Sequence, residues 1–367
     1  MNKIYIFENT NSLHIEEALI TMYSVFSGNY EVQFCLSDKA IQRVKKNDKI
    51  ILNTINISKI SSLLLFLKNI KNDDIVIYPT ISVRNISLLY FLSFFINKNI
   101  YYIRNSNSWL KYANHQNNIL FKLISNFTTF LKKRLLKKAY QIFVANSNLK
   151  NYLKLNDIKK TINIVPYKFF DKNNYYASVY TDRLSIVIPG GIDTSKKDLS
   201  LIRRATSNLT QSRKDKLTIV LLGKPNSEKD LVFCKEWKKE IGTSLVYFTN
   251  FIPDTKFSKI LKEAHFVLGI LTINYEDRYN KEIYGVTKDT GVDAQAISYG
   301  KPLIINKEFN VAKEIVTSSI GFENSDNLSK ILEQIIMSEN YNHLALIAMK
   351  NSEQLSLDNT INNLEGI

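Results

Sequence analysis

With 367 residues, the chain is too long for a single ordinary hydrophobic core and suits two domains. Its content of 45% hydrophobic and 23% charged residues is typical of folded globular proteins and excludes a disordered chain. Two cysteines and four histidines, scattered without ligand spacing, exclude a disulfide framework and predict neither a metal site nor a resident cofactor.

The net charge of +15 lies entirely in the first half of the chain. Residues 1–170 hold 24 Lys and Arg against 9 Asp and Glu, whereas residues 171–367 hold 25 of each. This asymmetry predicts an anionic partner for the first half, either a membrane surface or nucleic acid. The start of the chain lacks the apolar core of a signal peptide, and the most apolar segments are too short to span a bilayer. We therefore expect a cytoplasmic protein, soluble or peripheral at the inner face of the plasma membrane.

The first half alternates short apolar runs with helical patterns. The predicted strands are Lys3–Phe7, Tyr30–Leu36, Lys49–Leu52, Asp74–Tyr78, Ile100–Ile103, Gln141–Ala145 and Ile162–Val165. The predicted helices are Ile15–Phe26, Ser58–Asn69, Ser87–Ile96, Ile119–Ala139 and Leu149–Leu155. This alternation is typical of a doubly wound α/β domain with a parallel sheet.

A polar, turn-prone stretch at residues 171–182 predicts a linker between a first domain of residues 1–170 and a second of residues 183–350. The predicted strands then resume at Leu184–Ile188, Leu217–Leu222, Leu245–Phe248, Phe266–Leu271 and Pro302–Ile305. Predicted helices lie near Leu199–Leu209, Lys229–Ile241, Thr255–Ala264, Val292–Ser298, Ala312–Ser318 and Asn327–Asn351. Residues 351–367 form a C-terminal tail that we expect to pack back on the first domain.

Ligands of open α/β sheets bind beyond the carboxyl ends of the strands, so the loops there are the candidate sites. Gly190-Gly191 follows a predicted strand, and Lys196 and Lys197 come shortly before a helix whose first amides can bind phosphate. Gly223 and Lys224 repeat this pairing after the next strand. Ordinary glycine turns beside solvated lysines have the same pattern.

A third candidate segment begins at residue 282. Thr290 and Gly291 lie where a loop enters a helix, so its first amides can hold a diphosphate whose charge Lys288 can neutralise. Glu282 and Gln295 can hydrogen-bond ribose or sugar hydroxyls. An ordinary helix capped by Thr290, with no ligand, would show the same sequence pattern.

These segments together resemble the donor half of GT-B glycosyltransferases, in particular the family-four-like enzymes that build bacterial surface polysaccharides. The resemblance covers about residues 184–325 and rests on Ile188-Pro-Gly-Gly-Ile-Asp with Lys196, Leu222-Gly-Lys, Tyr247-Phe-Thr-Asn250-Phe-Ile-Pro-Asp254 and Gly285 to Gly300-Lys-Pro302. It implies a GT-B architecture, in which two Rossmann-like domains face each other across a cleft. It also implies that the second domain binds a nucleotide-diphosphate sugar and the first domain binds the acceptor.

The resemblance assigns Lys196 to the family's phosphate-contacting lysine. The chain departs from the family at Gly191, where an arginine is common, and at Thr287 and Gln295, where the family has two glutamates. It reads instead Tyr-Gly-x-Thr-Lys-x-Thr-Gly, as in a divergent subgroup. The predicted donor-binding residues are Gly190, Gly191, Lys196, Gly223, Lys224, Asn250, Glu282, Tyr284, Thr287, Lys288, Thr290, Gly291 and Gln295, and Lys288 is also a predicted catalytic residue.

The first half offers candidates for the acceptor. Arg104, Asn105, Asn107 and Trp109 follow a predicted strand, and their amides and indole can bind a sugar, although a polar turn anchored by a buried Trp109 fits as well. In the loop after the first strand, His14 or Glu16 can act as general base toward an acceptor hydroxyl, although a capped helix start explains the same residues.

A basic run on a predicted helix can rest on anionic lipid headgroups, although a solvated helix face has the same pattern. Its residues are Lys132, Lys133, Arg134, Lys137 and Lys138.

The favoured function is a metal-independent hexosyltransferase. It would transfer a sugar from a nucleotide sugar to a lipid-linked or growing bacterial surface glycan, as in lipopolysaccharide O-antigen or capsule synthesis. A nucleotide-sugar 2-epimerase shares the layout, but the chain lacks the expected cluster of Asp, Glu and His. A nucleic-acid-binding protein is suggested by charge alone, and because no recognised binding motif is present, we expect no nucleic-acid partner.

Overall fold

The computed structural model describes residues 3–10, 15–44, 48–113, 118–175, 183–195, 197–277, 279–337 and 341–367. The chain divides into two compact units. The first comprises Met1–Tyr167, Tyr275–Lys288 and Leu357–Ile367, and the second comprises Lys168–Asn274 and Asp289–Ser356. Unlike the predicted boundaries, this division assigns residues 275–288 to the first unit, because they pack on one of its helices.

The first unit is built on a parallel sheet with the strand order β3-β2-β1-β4-β5-β6-β7. Its strands are β1 Lys3–Glu8, β2 Glu31–Leu36, β3 Thr54–Asn56, β4 Ile75–Tyr78, β5 Lys98–Ile103, β6 Gln141–Val144 and β7 Thr161–Ile164. Its helices are α1 Ile15–Phe26, α2 Asp38–Val44, α3 Asp48–Leu52, α4 Ile60–Asn69, α5 Ile86–Leu92, α6 Asn107–Leu110, α7 Ile119–Lys138, α8 Ser147–Leu155 and, from the tail, α16 Leu357–Asn362. The predicted strand at residues 49–52 is wrong: these residues form α3, since a short apolar run fits either structure.

Alternate residues of the strands form the two faces of this sheet. Tyr5, Phe7 and Tyr101 belong to the core cluster that also contains buried residues of α4, α5, α7 and α8. Strand residues of opposite parity face α1, where the ring of Phe26 stacks on Phe143 with centroids 6.1 Å apart. The helices α4, α5 and α7 therefore cover the same face of the sheet.

The second unit repeats the design with the strand order β10-β9-β8-β11-β14-β15. Its strands are β8 Leu184–Pro189, β9 Leu217–Leu222, β10 Leu245–Tyr247, β11 Phe266–Gly269, β14 Leu303–Asn306 and β15 Ser319–Phe322. Two short strands that follow β11 in the chain, β12 Asn274–Glu276 and β13 Lys281–Ile283, pair with each other. The helices of this unit are α9 Leu199–Ser207, α10 Gln211–Asp215, α11 Glu228–Ile241, α12 Asp254–Glu263, α13 Gly291–Tyr299, α14 Ser325–Met337 and α15 Tyr341–Glu353. In place of the predicted helix at residues 312–318, only a 3₁₀ turn forms at Val316–Ser318.

Candidate functional site

Each sheet has one topological switch point, where successive connections leave in opposite directions. In the first sheet it lies between the neighbouring strands β1 and β4, and in the second between β8 and β11. Ligands of open α/β sheets bind beyond the carboxyl ends of the strands at such a point. The candidate sites are therefore the loops that follow these four strands and the loops beside them.

The loops after β8 and β9 approach each other through their backbones. The amide of Gly190 donates to the carbonyl of Leu222 at 3.1 Å. A Cβ at Gly223 would lie 2.3 Å from the carbonyl oxygen of Gly190, so only glycine allows this approach. Gly190 has φ +92° and, like Gly191 and Lys224, is exposed. The pairing therefore presents backbone to solvent at the switch point, as a phosphate site requires.

The side chain of Lys197 folds back over this glycine loop. Its Nζ donates to the carbonyl oxygen of Gly191 at 3.1 Å and to that of Pro189 at 3.3 Å. Burial lowers the pKa of Lys197, although the nearby carboxylate of Asp193 opposes the shift. The loop therefore carries a cation that its own carbonyl groups hold in place. Lys196, the predicted phosphate contact, lies outside the described residues.

The helix α13 begins against the carboxyl end of β11. A Cβ at Gly269 would come within 2.9 Å of Cγ1 of Val292, which shows how closely the first turn of the helix packs on the strand. The hydroxyl of Thr290 caps the helix by accepting from the amide of Val292 at 2.8 Å. Gly291 is exposed, and a Cβ there would meet no atom within 4 Å. The positive end of the helix dipole is thus open at the switch point.

Two polar residues of α13 lie just beyond this opening. The Oε1 atom of Gln295 is buried, and among the described residues it has no hydrogen-bond partner. Since buried acceptors are normally paired, this atom suits a ligand hydroxyl. Burial, and then the charge of Asp289, raise the pKa of Asp293 to about 7. The negative charge beside the helix start is therefore reduced by a proton at neutral pH.

A groove follows β10, the edge strand beside β9. Its cavity of about 440 Å³ is lined by Tyr247, Phe248, Thr249, Asn250, Phe251, Ile252, Pro253 and Lys256. Nζ of Lys256 lies 4.8 Å from the ring centroid of Phe248, and Asn250 and Phe251 are exposed. Because β9 and β10 are parallel, the groove opens at the same sheet edge as Gly223. Its aromatic wall and side-chain amide suit a flat heterocycle.

At the switch point of the first sheet, β1 ends in Glu8. Its side chain is 1% exposed, and its Oε1 accepts from the amide of Thr10 at 2.7 Å. The Oε2 atom has no hydrogen-bond partner within the described part of the chain. Burial raises the pKa of Glu8, although hydrogen bonds from Thr10 oppose the shift. We did not assign this residue from the sequence; the available signal was a glutamate directly after the apolar run of β1.

The segment at residues 275–288 docks on α6 through Glu282. Its carboxylate accepts from the amides of Ser108 at 2.9 Å and Asn107 at 3.2 Å, and Nδ2 of Asn107 donates to the carbonyl of Lys281 at 2.9 Å. Burial raises the pKa of Glu282. These contacts give Glu282 a structural role on α6, and its contact with ribose or sugar hydroxyls stays a prediction.

Lys132 belongs to the same buried network. It is 5% exposed, and its Nζ donates to Oγ of Ser108 at 3.0 Å. Burial lowers its pKa to about 8, although the charge of Glu282 opposes the shift. Its predicted contact with a membrane is therefore wrong, because the ammonium is inside the protein. Of the other basic residues of this run, Lys133 is half-buried, and Arg134, Lys137 and Lys138 are exposed.

The docking of residues 275–288 on α6 also brings together residues predicted to bind the donor and residues predicted to bind the acceptor. Nζ of Lys288 donates to Oδ1 of Asn105 at 2.7 Å and lies 4.9 Å from the ring centroid of Tyr275 and 5.8 Å from that of Tyr284. Thr287 is fully buried, and its hydroxyl accepts from the backbone of residue 283. Thr287 therefore supports the local fold, and its donor contact stays a prediction. The roles of Lys288, Asn105 and Tyr284 in binding stay predictions.

Most of the remaining acceptor candidates contact other residues of the first unit. Trp109 is 3% exposed, and its ring lies 5.8 Å from that of Tyr101 in the core, which favours the alternative interpretation as a buried anchor. The guanidinium of Arg104 lies 4.2 Å from the ring centroid of Tyr167. Glu16 is half-buried in the first turn of α1.

His14 lies outside the described residues. Within the described ranges, no group of three or more His, Cys, Asp and Glu side chains is arranged to hold a metal ion. In the same part of the chain, no helix has the length and hydropathy of a membrane span.

No protein-family model matches the chain, and no curated protein has a significant match to it. Several solved structures, however, match the chain. The chain is 12% identical to Anabaena Alr3699/HepE in complex with UDP, with a TM-score of 0.65 over 99% of this chain and 98% of that one. It is 11% identical to sucrose-phosphate synthase from Thermosynechococcus elongatus, with a TM-score of 0.60 over 98% and 96% of the two chains. For Phytolacca americana UGT2 complexed with UDP-2fluoro-glucose and pterostilbene, the identity is 10% and the TM-score 0.55, over 98% of each chain.

Sequence identities of 10% to 12% support a shared fold and nothing more specific. The chain is an α/β protein with two parallel sheets that match those of GT-B glycosyltransferase structures, which confirms the predicted fold class.

Proposed function

We propose that this chain is a glycosyltransferase whose second unit binds a nucleotide-diphosphate sugar. The observation that carries the proposal is the convergence of exposed glycine backbone, Gly190-Gly191, and the capped start of α13 on the two strands of one switch point. The GT-B structures that share the fold include one in complex with UDP and one with a UDP-sugar analogue. Those ligands agree with the chemistry of this edge.

The diphosphate would be stabilised by backbone amides and lysines. Amides of the first turn of α13, at Thr290 and Gly291, and of the loop at Gly190-Gly191 can donate to its oxygens. Lys197 lies on this loop, and Lys196 is adjacent in sequence. Preorganised donors of this kind stabilise the negative charge that develops on the leaving nucleoside diphosphate. This assignment supplies the charge stabilisation from the chain itself, in agreement with a metal-independent reaction.

The groove after β10 would hold the nucleobase. Phe248 and Phe251 provide apolar surface for stacking, and Asn250 can donate to and accept from the edge of the base. Gln295, whose Oε1 lacks a partner among the described residues, would accept from a ribose or sugar hydroxyl. Lys224 is exposed in the loop after β9 and can add cationic charge at this sheet edge.

The first unit would bind the acceptor and supply the base that activates the acceptor hydroxyl. Glu8 fits the base best because its buried carboxylate has a raised pKa and an oxygen without a partner among the described residues. His14 and Glu16, which follow β1 in the sequence, remain alternatives. Lys288, held by Asn105, stays a candidate for charge stabilisation.

The acceptor that we propose is a lipid-linked or growing bacterial surface glycan, and the transferred sugar is a hexose. The sequence resemblance and the basic, membrane-compatible first half of the chain support this choice. A nucleotide-sugar 2-epimerase would bind the same donor but would need no acceptor.

The test is turnover of a panel of nucleotide hexoses with and without an extract of lipid-linked glycans. We expect one donor to release its nucleoside diphosphate faster when the acceptor is added, together with a product heavier by one hexose. An isomer of unchanged mass, formed without acceptor, would support the epimerase. Failure to release nucleoside diphosphate from any donor would contradict the proposal.

A further inference from the structure

The outer surfaces of α4, α5 and α7 point to the same side of the first unit. Their inner side chains, including Phe66, Leu89 and Leu135, belong to the one core cluster on the sheet face that these helices cover. The side chains on the opposite, outer sides of these helices therefore form one surface, which we call the α4–α5–α7 face.

The exposed stripe of α7 is apolar in its first half and basic in its last turns. Its exposed positions recur every three or four residues, which places them on one side of the helix. They are Ile119, Leu120, Leu123, Phe127 and Phe130, which are 41% to 75% exposed, followed by Arg134, Lys137 and Lys138. Exposure of apolar side chains to water is unfavourable, so burial of this stripe against a partner would stabilise the protein.

The neighbouring helices extend this apolar surface. The residues Phe91, Phe94 and Phe95 on and directly after α5, and Ile60, Leu64 and Leu65 on α4, are also exposed. Nζ of Lys138 on α7 lies 3.3 Å from the ring centroid of Phe94, so the contributions of α5 and α7 are contiguous. Eleven of the 22 exposed large hydrophobic side chains among the described residues lie on this face. Soluble monomers normally scatter such side chains singly.

The charge around this face has one sign. Between Asp74 and Asp157 the chain runs for 82 residues without a single Asp or Glu, and it holds 12 Lys and Arg there. This stretch includes α5 and α7, and α4 also lacks acidic residues. Two copies of so basic a face would repel each other, which disfavours self-association. An apolar surface bordered by cations instead matches the interface of an anionic bilayer.

Cations and rings also alternate at the border of the face. The guanidinium of Arg134 lies 5.2 Å from the ring centroid of Phe130, and Nζ of Lys133 lies 4.1 Å from that of Tyr112. Long basic side chains can keep their charge at the headgroups while adjacent rings enter the acyl boundary.

We propose that the α4–α5–α7 face docks the protein on an anionic lipid bilayer. Phe91, Phe94, Phe127 and the neighbouring apolar side chains enter the interface, and the exposed basic residues of α7 contact headgroup phosphates. The inference does not depend on the proposed enzymatic function, because it rests only on surface side chains of the first unit.

The test is co-sedimentation with vesicles of phosphatidylcholine alone or mixed with phosphatidylglycerol. We expect the wild-type protein to bind the mixed vesicles at low salt and to bind them less at high salt, since screening weakens the electrostatic part. The double variant Leu123→Ser, Phe127→Ser should bind at least about tenfold more weakly, because it loses apolar area at the interface. Its melting temperature should not fall, because both side chains are largely exposed.

A matched control is Val232→Ser with Leu346→Ser, two exposed apolar residues on helices of the second unit. This control should bind vesicles as the wild type does. A second pair, Arg134→Glu with Lys138→Glu, should abolish the preference for phosphatidylglycerol, whereas Lys239→Glu on α11 should keep it.

Four outcomes would overturn the proposal. They are no binding of the wild type to either vesicle, an equal loss in the control, retention on RNA without vesicle binding, and a dimer in sedimentation that only the Leu123, Phe127 variant dissociates. The last outcome would make the face an interface between copies.

Discussion

The two switch points of this chain have the same topology but opposite chemistry. In the first sheet, β1 ends in a buried carboxyl group, Glu8, whose pKa is raised by burial. In the second sheet, β8 ends in exposed glycine backbone beside the open start of α13. The first arrangement can exchange a proton, and the second can bind an anion. In the proposed function, the first switch point would activate the acceptor and the second would bind the phosphorylated donor.

The largest effect is expected from Glu8→Gln, which removes the proposed base and keeps the shape of the side chain. Transfer should fall by about 100- to 10,000-fold, the usual contribution of a general base. The free energy of unfolding should stay the same or rise near neutral pH, since an amide avoids the cost of a buried charge. Steady-state turnover and denaturant unfolding measure the two quantities.

Two matched variants sharpen this test. Glu31→Gln, at the amino end of β2, should leave turnover unchanged, and Glu16→Gln tests the alternative base in the first turn of α1. If Glu8→Gln keeps wild-type turnover, the carboxyl group of Glu8 is structural and the first switch point does not supply the base.

At the second switch point, Asp293→Asn should stabilise the protein in a pH-dependent way. The folded protein holds the proton of Asp293 up to about pH 7, whereas an aspartate in the unfolded chain releases it near its ordinary pKa of 3.8. The folded state thus binds more protons in this window, and its stability falls as the pH rises through it. Relative to wild type, the variant should gain roughly 2–4 kcal/mol of unfolding free energy between about pH 4 and about pH 8.

Denaturant unfolding across this pH range measures the gain. Asp326→Asn, at an exposed position of α14 in the same unit, is the control and should show little pH-dependent change. A constant difference between Asp293→Asn and wild type would show that Asp293 is ionised in the folded protein at acidic pH.

Gly223→Ala tests the backbone approach on which the proposed phosphate site depends. Its Cβ would collide with the Gly190 carbonyl, so the two loops must separate. We expect a loss of about 1–3 kcal/mol in unfolding free energy, as for other overpacked positions. Calorimetry should show at least about tenfold weaker binding of a nucleoside diphosphate, because the donors are no longer preorganised. Gly28→Ala, where a Cβ meets no atom within 4 Å, is the control.

The smallest effect is expected from Glu282→Gln, which weakens two hydrogen bonds from α6. The unfolding free energy should fall by about 1–2 kcal/mol, and hydrogen exchange should increase in residues 275–288 and α6. Glu276→Gln, half of an exposed ion pair with Lys281, should change both quantities little. Equal effects of the two substitutions would contradict the structural role of Glu282.

Most of the fold could be predicted from the sequence because its strands are short, apolar and separated by helical patterns. The strand ends at Gly190 and Gly223 were also predictable, since glycine directly after a buried strand indicates a close approach. The error at residues 49–52 arose because four residues cannot distinguish a helix from a strand.

The burial of Glu282 and Thr287 could not be predicted, because it depends on contacts between segments far apart in the chain, whereas a buried Trp109 was one of the two interpretations of its sequence. Residues 275–288 pack on α6, which lies about 170 residues earlier. Lys132, by contrast, could have been recognised, because the three- and four-residue spacing of the exposed stripe of α7 leaves it off that side.

The central claim is that a nucleoside diphosphate binds at the carboxyl edge of the second sheet. Hydrogen exchange with and without UDP, GDP, ADP or dTDP tests it most directly. We predict that at least one nucleotide slows exchange in residues 189–195, 222–227, 247–253 and 290–293. The account would be contradicted if none of them protects these loops, or if protection appears only at the edge of the first sheet.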